Sequence, residues 1–318
     1  MPYKNPADES KRSQRYRAAK REEAAAVQTE MLKRLRRTSG LRKEELRAST
    51  TMEAPLPAPA KILATKAPAH GLRIAVIPDA QVRDGVPTEH LRHAGKYLAD
   101  KQPDVILVGG DWWDMPTLSN WNQPGSYEKE GARYWKDVDA GCRAMERFMT
   151  PIAAATGKWQ PKLVFLEGNH EDRIDRAVRA NPNQLMGVYS KGHLRLAQYG
   201  FTVIPFLQPV TVGGVAFNHY FPAGVMGKPI QSASMILKKM HMSCFAFHQQ
   251  GRDIAYSRRA DGATLTAIIS GSFYQHNEPY MSPLANKHWR GMWMLHEVHN
   301  GQFDEMPVSI SFLKRKFG

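Results

Sequence analysis

Three times between residues 72 and 171 a short apolar run stops at a turn residue and then presents polar groups. The runs are Ile74-Ala75-Val76-Ile77-Pro78-Asp79, Val105-Ile106-Leu107-Val108-Gly109-Gly110-Asp111 and Lys162-Leu163-Val164-Phe165-Leu166-Glu167-Gly168-Asn169-His170-Glu171. Apolar runs of this length closed by Gly or Pro read as buried strands. In open α/β sheets the carboxyl ends of such strands are where ligands bind. Three strand ends that all deliver metal-type ligands are hard to explain as packing.

Between the runs the period changes. Residues Thr88 to Lys101 carry helical spacing with Thr88 as the N-cap, and a second helical stretch runs from about Glu128 to Met149. Strand, helix, strand, helix, strand implies right-handed crossovers and a parallel sheet. That topology brings Asp79, Asp111 and Asn169 together at one edge of the sheet. The second half adds imidazoles. Val212-Gly213-Gly214-Val215-Ala216-Phe217-Asn218-His219 reads as a hairpin strand ending in His219, and residues 230 to 242 read as a helix. Ser243-Cys244-Phe245-Ala246-Phe247-His248-Gln249-Gln250 is a further apolar strand ending in histidine. The strand-like stretches at 267–270, 291–295 and 308–313 are expected to build a second sheet against the first.

The 318 residues carry a formal net charge of +14, unevenly spread. Residues 1–70 hold 16 Lys+Arg against 8 Asp+Glu, and the remainder holds 28 against 22. Residues 1–48 are rich in Ala, Arg, Lys and Glu and predict a basic helical N-terminal arm whose thin apolar stripe, Val27, Met31, Leu32 and Leu35, buries little. Two readings stand for it: an arm that neutralises nucleic-acid phosphates, and a solvated helical tail. Residues 49–70 are Pro/Ala-rich and read as a linker, leaving 71–318 as the folded domain. With only Cys142 and Cys244, neither a disulfide framework nor a cysteine zinc site is available. The chain shows no apolar run of membrane-spanning length and no N-terminal signal region, so the expectation is a soluble cytoplasmic protein without membrane partners.

Asp79 with Gln81, the run Gly110-Asp111-Trp112-Trp113-Asp114, Gly168-Asn169-His170-Glu171, His219 and Phe247-His248-Gln249-Gln250 resemble, in order and at strand ends, the five motifs of the calcineurin-like metallophosphoesterases. The resemblance covers roughly residues 71–318. The wording around the motifs, including Gln81-Val82-Arg83-Asp84-Gly85 and Trp289-Arg290-Gly291, is similar to a branch encoded by tailed bacteriophages and prophages. This implies a four-layer α/β/β/α sandwich with two divalent metal ions where its two sheets meet. It implies Asp111 as the bridging ligand, with Asn169, His219 and His248 completing one metal position and Asp79, Gln81 and Gln250 the other. His170 becomes the proton donor to the leaving group and Asp114 its orienting carboxylate.

Three positions depart from the family pattern. Gln81 and Gln250 replace histidines and Phe247 replaces a glycine. An amide oxygen is a harder and weaker ligand than imidazole, so that position should prefer Mn²⁺ or Mg²⁺ and hold it more loosely. Manganese is the expected metal, with Mg, Fe and Zn as alternatives.

Every residue also has a plainer reading. Asp79 alone can cap a turn, and His219 alone can be a structural histidine. Arg173 and Arg176 are candidates for substrate phosphate or ordinary helix residues, His276 is a weaker site candidate, and Trp112 and Trp113 can stack a base or fill a core. The expected function is a metal-dependent phosphodiesterase acting on nucleic acid. The alternatives are a phosphomonoesterase or cyclic-nucleotide phosphodiesterase, and a non-catalytic nucleic-acid-binding protein with a degenerate metal site.

Overall fold

The computed structural model describes residues 68, 70–119, 131–155, 159–278 and 281–318. The basic arm at 1–48, the linker at 49–70 apart from residues 68 and 70, and the first residues of the helix expected from Glu128 lie outside the described residues.

The three strand-then-acid runs form β1 (Leu72–Ile77), β2 (Val105–Val108) and β3 (Lys162–Leu166), and they pair in parallel in the order β1, β2, β3. The expected crossover helices are α1 (Glu89–Lys101) and α2 (Tyr134–Ala154). Thr88 does sit at the N-cap of α1, but its side chain makes no capping bond. Further on come α3 (Asp172–Ala180), then β4 (Thr202–Ile204), the hairpin β5 (Val210–Val212) and β6 (Val215–Asn218), and the short pair β7 (Pro222–Ala223) and β8 (Lys228–Pro229). The helix expected over 230–242 is α4 (Ala233–Met240), and the strand after it is β9 (Cys244–Ala246). The chain closes with β10 (Arg252–Arg258), β11 (Thr264–Ser270), β12 (Gly291–His299), β13 (Gln302–Ser309) and α5 (Ile310–Phe317).

Two sheets result, ordered β13-β12-β1-β2-β3-β4 and β10-β11-β9-β6-β5. This corrects the expectation that everything after residue 267 enters the second sheet. Only β11 does, whereas β12 and β13 join the first sheet, β12 pairing antiparallel with β1 from Leu72 opposite Val298 to Val76 opposite Trp293. The stretch 308–313 is also not one strand. Ser309 accepts a hydrogen bond from the Phe312 amide and starts a helix, with Ile310 and Leu313 buried on one face.

The pleat sorts the core into three clusters. Ala75, Ile77, Ile106 and Val108 point to one side of the first sheet and pack with Leu91, Leu98, Phe148 and Leu313 from the helices. Their neighbours Ile74, Val76, Val105 and Leu107 point the other way and meet Phe217, Phe245, Phe247 and Ile268 of the second sheet. Ala216, Ala246, Ala267 and Ile269 on the far side of the second sheet meet Ile236 and Leu237 of α4. The chain is therefore an α/β sandwich with helices outside two facing sheets. Trp112 and Trp113 belong to the helix-side core and are fully buried, which removes the base-stacking reading. Among the described residues, no helix is long and apolar enough to cross a membrane.

In the first sheet β1, β2 and β3 are parallel, and in the second β6, β9 and β11 are parallel. The carboxyl ends of all six converge, and the Phe273 amide donates to the Asp79 carbonyl at 2.7 Å, tying the two sheets together there.

Candidate metal centre

The loops leaving β1, β2 and β9 hold their polar residues in unusual backbone conformations. Gln81, Asp111 and His248 have φ of 41°, 47° and 71°. Non-glycine residues visit this left-handed region at a cost, and they do so where a side chain must be aimed. Close approach compounds the constraint: a Cβ on Gly168 would lie 2.1 Å from Asp111 Oδ1. Glycine there lets the β2 and β3 loops touch.

A residue whose role the sequence does not disclose holds this arrangement. Glu171 is fully buried and accepts hydrogen bonds from the amides of Asp111 and Gly168 at one carboxyl oxygen and of Trp112 and Trp113 at the other, all at 2.8 to 3.1 Å. Burial and the Asp111 charge raise its pKa while these amides pull against the shift. The only sequence signal was a carboxylate next to His170 in a turn.

The imidazoles arrive from the second sheet. His219, following β6, donates from Nδ1 to the Gly109 carbonyl at 2.8 Å, leaving Nε2 facing Asn169 Oδ1 at 3.0 Å and Asp111 Oδ2 at 3.4 Å. Fixing one ring nitrogen on a carbonyl aims the other at a ligand. Asp111, His219 and His248 each offer one ligand atom, all within 4.8 Å of one another, so this Asp and two His could hold a metal ion. Tyr220 packs on both rings, with centroids 6.0 Å from His219 and 5.1 Å from His248.

Burial and mutual charge shift the titratable groups of the site in different directions. Burial, then the neighbouring Asp111, push the Asp79 carboxyl up to about 8. Burial draws His219 down, but Asp111 outweighs it and the imidazole is held at about 9. His248 is pushed down to about 4 by burial and by His219. Asp111 goes the opposite way to Asp79: its burial penalty is outweighed by His170 and His219, and its pKa falls. A bound cation would relieve the Asp79 shift directly.

The other predicted position has a different character. Asp79 Oδ1 accepts from the His248 amide at 3.3 Å, but Asp79 Oδ2, Gln81 Oε1 and Gln250 Oε1 are buried with no hydrogen-bond partner among the described residues. Buried oxygens without partners are uncommon and costly, and each calls for an explanation such as an ion. These three atoms belong to the ligand set expected for the amide-bearing metal position. Phe247 has a simpler account. Its ring fills the space over Gly109, where a Cβ would lie 2.1 Å from the ring, so the departure is a packing adjustment inside the intersheet core.

His170 stands beside the carboxylates. Its Nδ1 lies 3.2 Å from Asp114 Oδ1 and its Nε2 3.6 Å from Asp111 Oδ2. Burial lowers its pKa, but Asp111 and the Asp114 contact outweigh that and leave it raised. Arg173 NH2 donates to Nε2 at 2.9 Å, and Arg173 NH1 donates to the Asp114 carbonyl at 2.7 Å. A proton on Nε2 and the Arg173 contact exclude one another, because both nitrogens would be donors. Arg176 donates to the Asn169 carbonyl at 2.7 Å and pairs with Asp172, so it braces the loop and is half exposed. His276 lies apart from the imidazole cluster, bonded to Glu278 at 2.6 Å. Sequence reasoning also missed Arg83 and Glu278, which stand behind Asp114. Arg83 was visible only as wording near Gln81.

No protein-family model matches the chain. It is 27% identical over 157 residues to the Gene 54 protein of Mycobacterium phage D29, a stretch covering 48% of this chain and 58% of that protein. The chain thus spans less than two thirds of that relative's length.

Proposed function

We propose that the protein is a metal-dependent phosphodiesterase of the calcineurin-like metallophosphoesterase kind, acting on nucleic acid through two divalent ions. The observation that carries this reading is the pairing of an Asp111, His219, His248 cluster with three partnerless buried oxygens on Asp79, Gln81 and Gln250. Asn169 with the cluster would hold one ion, Asp79 with the two glutamines the other, and Asp111 would serve both. When bound, the ions would neutralise phosphoryl charge and lower the pKa of water toward neutrality.

The chain's own residues supply the rest. His170 holds the proton for the leaving oxygen at Nε2, and Asp114 on Nδ1 fixes the ring and favours its charged form. Arg173 occupies that Nε2 in the resting arrangement, so substrate entry must draw the guanidinium away, toward the incoming phosphate. His219 and Asn169 are pre-aimed by bonds to Gly109 and Arg176. The net charge of +14 suits a polyanionic substrate, and the basic 1–48 segment is the proposed capture arm. The similarity to a mycobacteriophage protein supports a phage origin and action in the bacterial host cytoplasm.

The test is hydrolysis of bis-p-nitrophenyl phosphate, p-nitrophenyl phosphate and single- and double-stranded DNA by metal-stripped protein reloaded with Mn²⁺, Mg²⁺ or Zn²⁺. Mn²⁺-dependent cleavage of the diester and of DNA, with the DNA activity lost in His170→Ala, supports the reading. Faster monoester hydrolysis would make it a phosphomonoesterase. DNA binding without turnover under any metal would favour the non-catalytic alternative, which the replacement of two imidazoles by Gln81 and Gln250 motivates.

A further inference from the structure

The carboxylate behind His170 is held from both sides. Asp114 Oδ1 faces His170 Nδ1 at 3.2 Å, and Asp114 Oδ2 accepts from Arg83 NH1 at 2.7 Å. The same Arg83 nitrogen reaches Glu278 Oε1 at 3.1 Å and Oε2 at 3.3 Å. Glu278 is 4% exposed, and its Oε1 bonds His276 Nε2 at 2.6 Å. Behind these, the Glu278 amide donates to Asn286 Oδ1, and Asn286 Nδ2 donates back to the Glu278 carbonyl. His276 stacks on Tyr274 with centroids 4.5 Å apart, and the Arg290 guanidinium lies 4.9 Å from the centre of the Tyr274 ring.

A chain of charges therefore runs from a braced loop after β11, through Arg83 in the loop after β1, to Asp114 after β2. Its outer link joins residues 195 apart in sequence. A buried glutamate and a largely buried arginine are costly to desolvate, and apolar residues would fill the same space as stably. What this network adds is orientation. Asp114 is hydrogen-bonded by Arg83 at its outer oxygen and ion-paired with His170 at its inner one, so the arginine limits the angle at which the carboxylate can meet the imidazole.

We infer that Arg83 and Glu278, with His276 closing the network, are positioning residues that fix the Asp114–His170 pair for proton delivery to the leaving oxygen. The inference rests on the proposed phosphodiesterase reading.

Proton donation matters most when the leaving group is a poor one. A nucleoside alkoxide needs the proton, whereas p-nitrophenolate leaves without it. The test is therefore steady-state kinetics of wild type, Arg83→Met, Arg83→Lys and Glu278→Gln on two substrates, a dinucleoside monophosphate and bis-p-nitrophenyl phosphate. Arg83→Met should lower kcat on the dinucleotide about 10- to 100-fold while changing bis-p-nitrophenyl phosphate turnover less than about threefold, with KM little moved. Glu278→Gln should lose less, and Arg83→Lys should recover most of the rate. Equal losses on both substrates, or none on either, would overturn the inference and leave a purely structural ion pair.

Wild-type protein inactive on both substrates would count against the phosphodiesterase reading itself. The positioning claim is then read from the His170 Nδ1 proton by NMR. It should be sharp and slowly exchanging in wild type and lost to exchange in Arg83→Met. An unchanged signal would overturn the inference.

Discussion

The two halves of the candidate site solve the same problem with different chemistry. The half built on Asp111, Asn169, His219 and His248 is tied into the fold by its own hydrogen bonds: Glu171 anchors the Asp111 amide, Gly109 fixes His219, and Asn169 meets His219 at 3.0 Å. The half built on Asp79, Gln81 and Gln250 leaves three buried oxygens without partners among the described residues. One half is braced by protein hydrogen bonds; the other carries buried oxygens that an ion could satisfy. An imidazole with one ring nitrogen fixed on a carbonyl pre-organises a site, whereas neutral amides leave the cost of desolvation to be offset by a ligand.

Asp111, the residue proposed to serve both halves, should give the largest effect when replaced. Asp111→Asn should weaken ion binding in each half and reduce diester turnover on the order of 10³-fold or more, read by kinetics and by calorimetric metal titration. Retained tight binding in either half would show that the halves do not share Asp111. Next in size is Glu171→Ala, which strands four amides in the buried Asp111 and Gly168 loops. It should cost about 3–5 kcal/mol in denaturant unfolding, since one partner of a buried charged network is removed. A loss below about 1 kcal/mol would mean that Glu171 does not organise the first half.

Restoring imidazoles should sharpen the contrast from the other side. Gln81→His with Gln250→His is expected to raise Zn²⁺ affinity of the amide half by on the order of tenfold or more, measured by competition with a chelator. The acid-base behaviour of the metal-free protein separates the halves as well. The folded Asp79 value of about 8 lies above its unfolded 3.8, so its contribution is full below about pH 4 and disappears as pH rises through 8. His219, held at about 9 against 6.5 unfolded, contributes below pH 6.5 and loses that contribution as pH rises through 9. Urea midpoints with chelator should fall over both windows, Asp79→Asn flattening the lower one and His219→Gln the upper. The smallest effect is Gln250→Leu, which removes one orphaned oxygen and should stabilise metal-free protein by about 1 kcal/mol while weakening the metal-loaded form.

Much of this contrast was legible in the sequence, because strand-ending runs such as Val105 to Asp111 declare both a buried strand and the polar group at its end. The parallel order of β1, β2 and β3 followed from the helices between them. Sheet membership of β12 and β13 did not follow, since an apolar run such as Met292 to Leu295 has the same pattern in either sheet. Its partner, β1, lies more than 200 residues earlier, and only three-dimensional pairing selects it. The residues at 308–313 were misread for a related reason: alternating apolar positions over six residues suit a strand, and the Ser309 cap that turns them into a helix is a local hydrogen bond. Glu171 and Arg83 act by holding other residues, a role that leaves no spacing signature. The reason for Phe247 is likewise three-dimensional, since Gly109 on a distant strand end makes room for its ring.

The most direct test of the two unequal halves is a Mn²⁺ titration of metal-stripped protein followed by electron paramagnetic resonance. Two steps of clearly different affinity are predicted, the weaker abolished by Gln81→Leu with Gln250→Leu and the tighter by His219→Ala. Two equal steps, or a single step indifferent to both glutamines, would contradict the account.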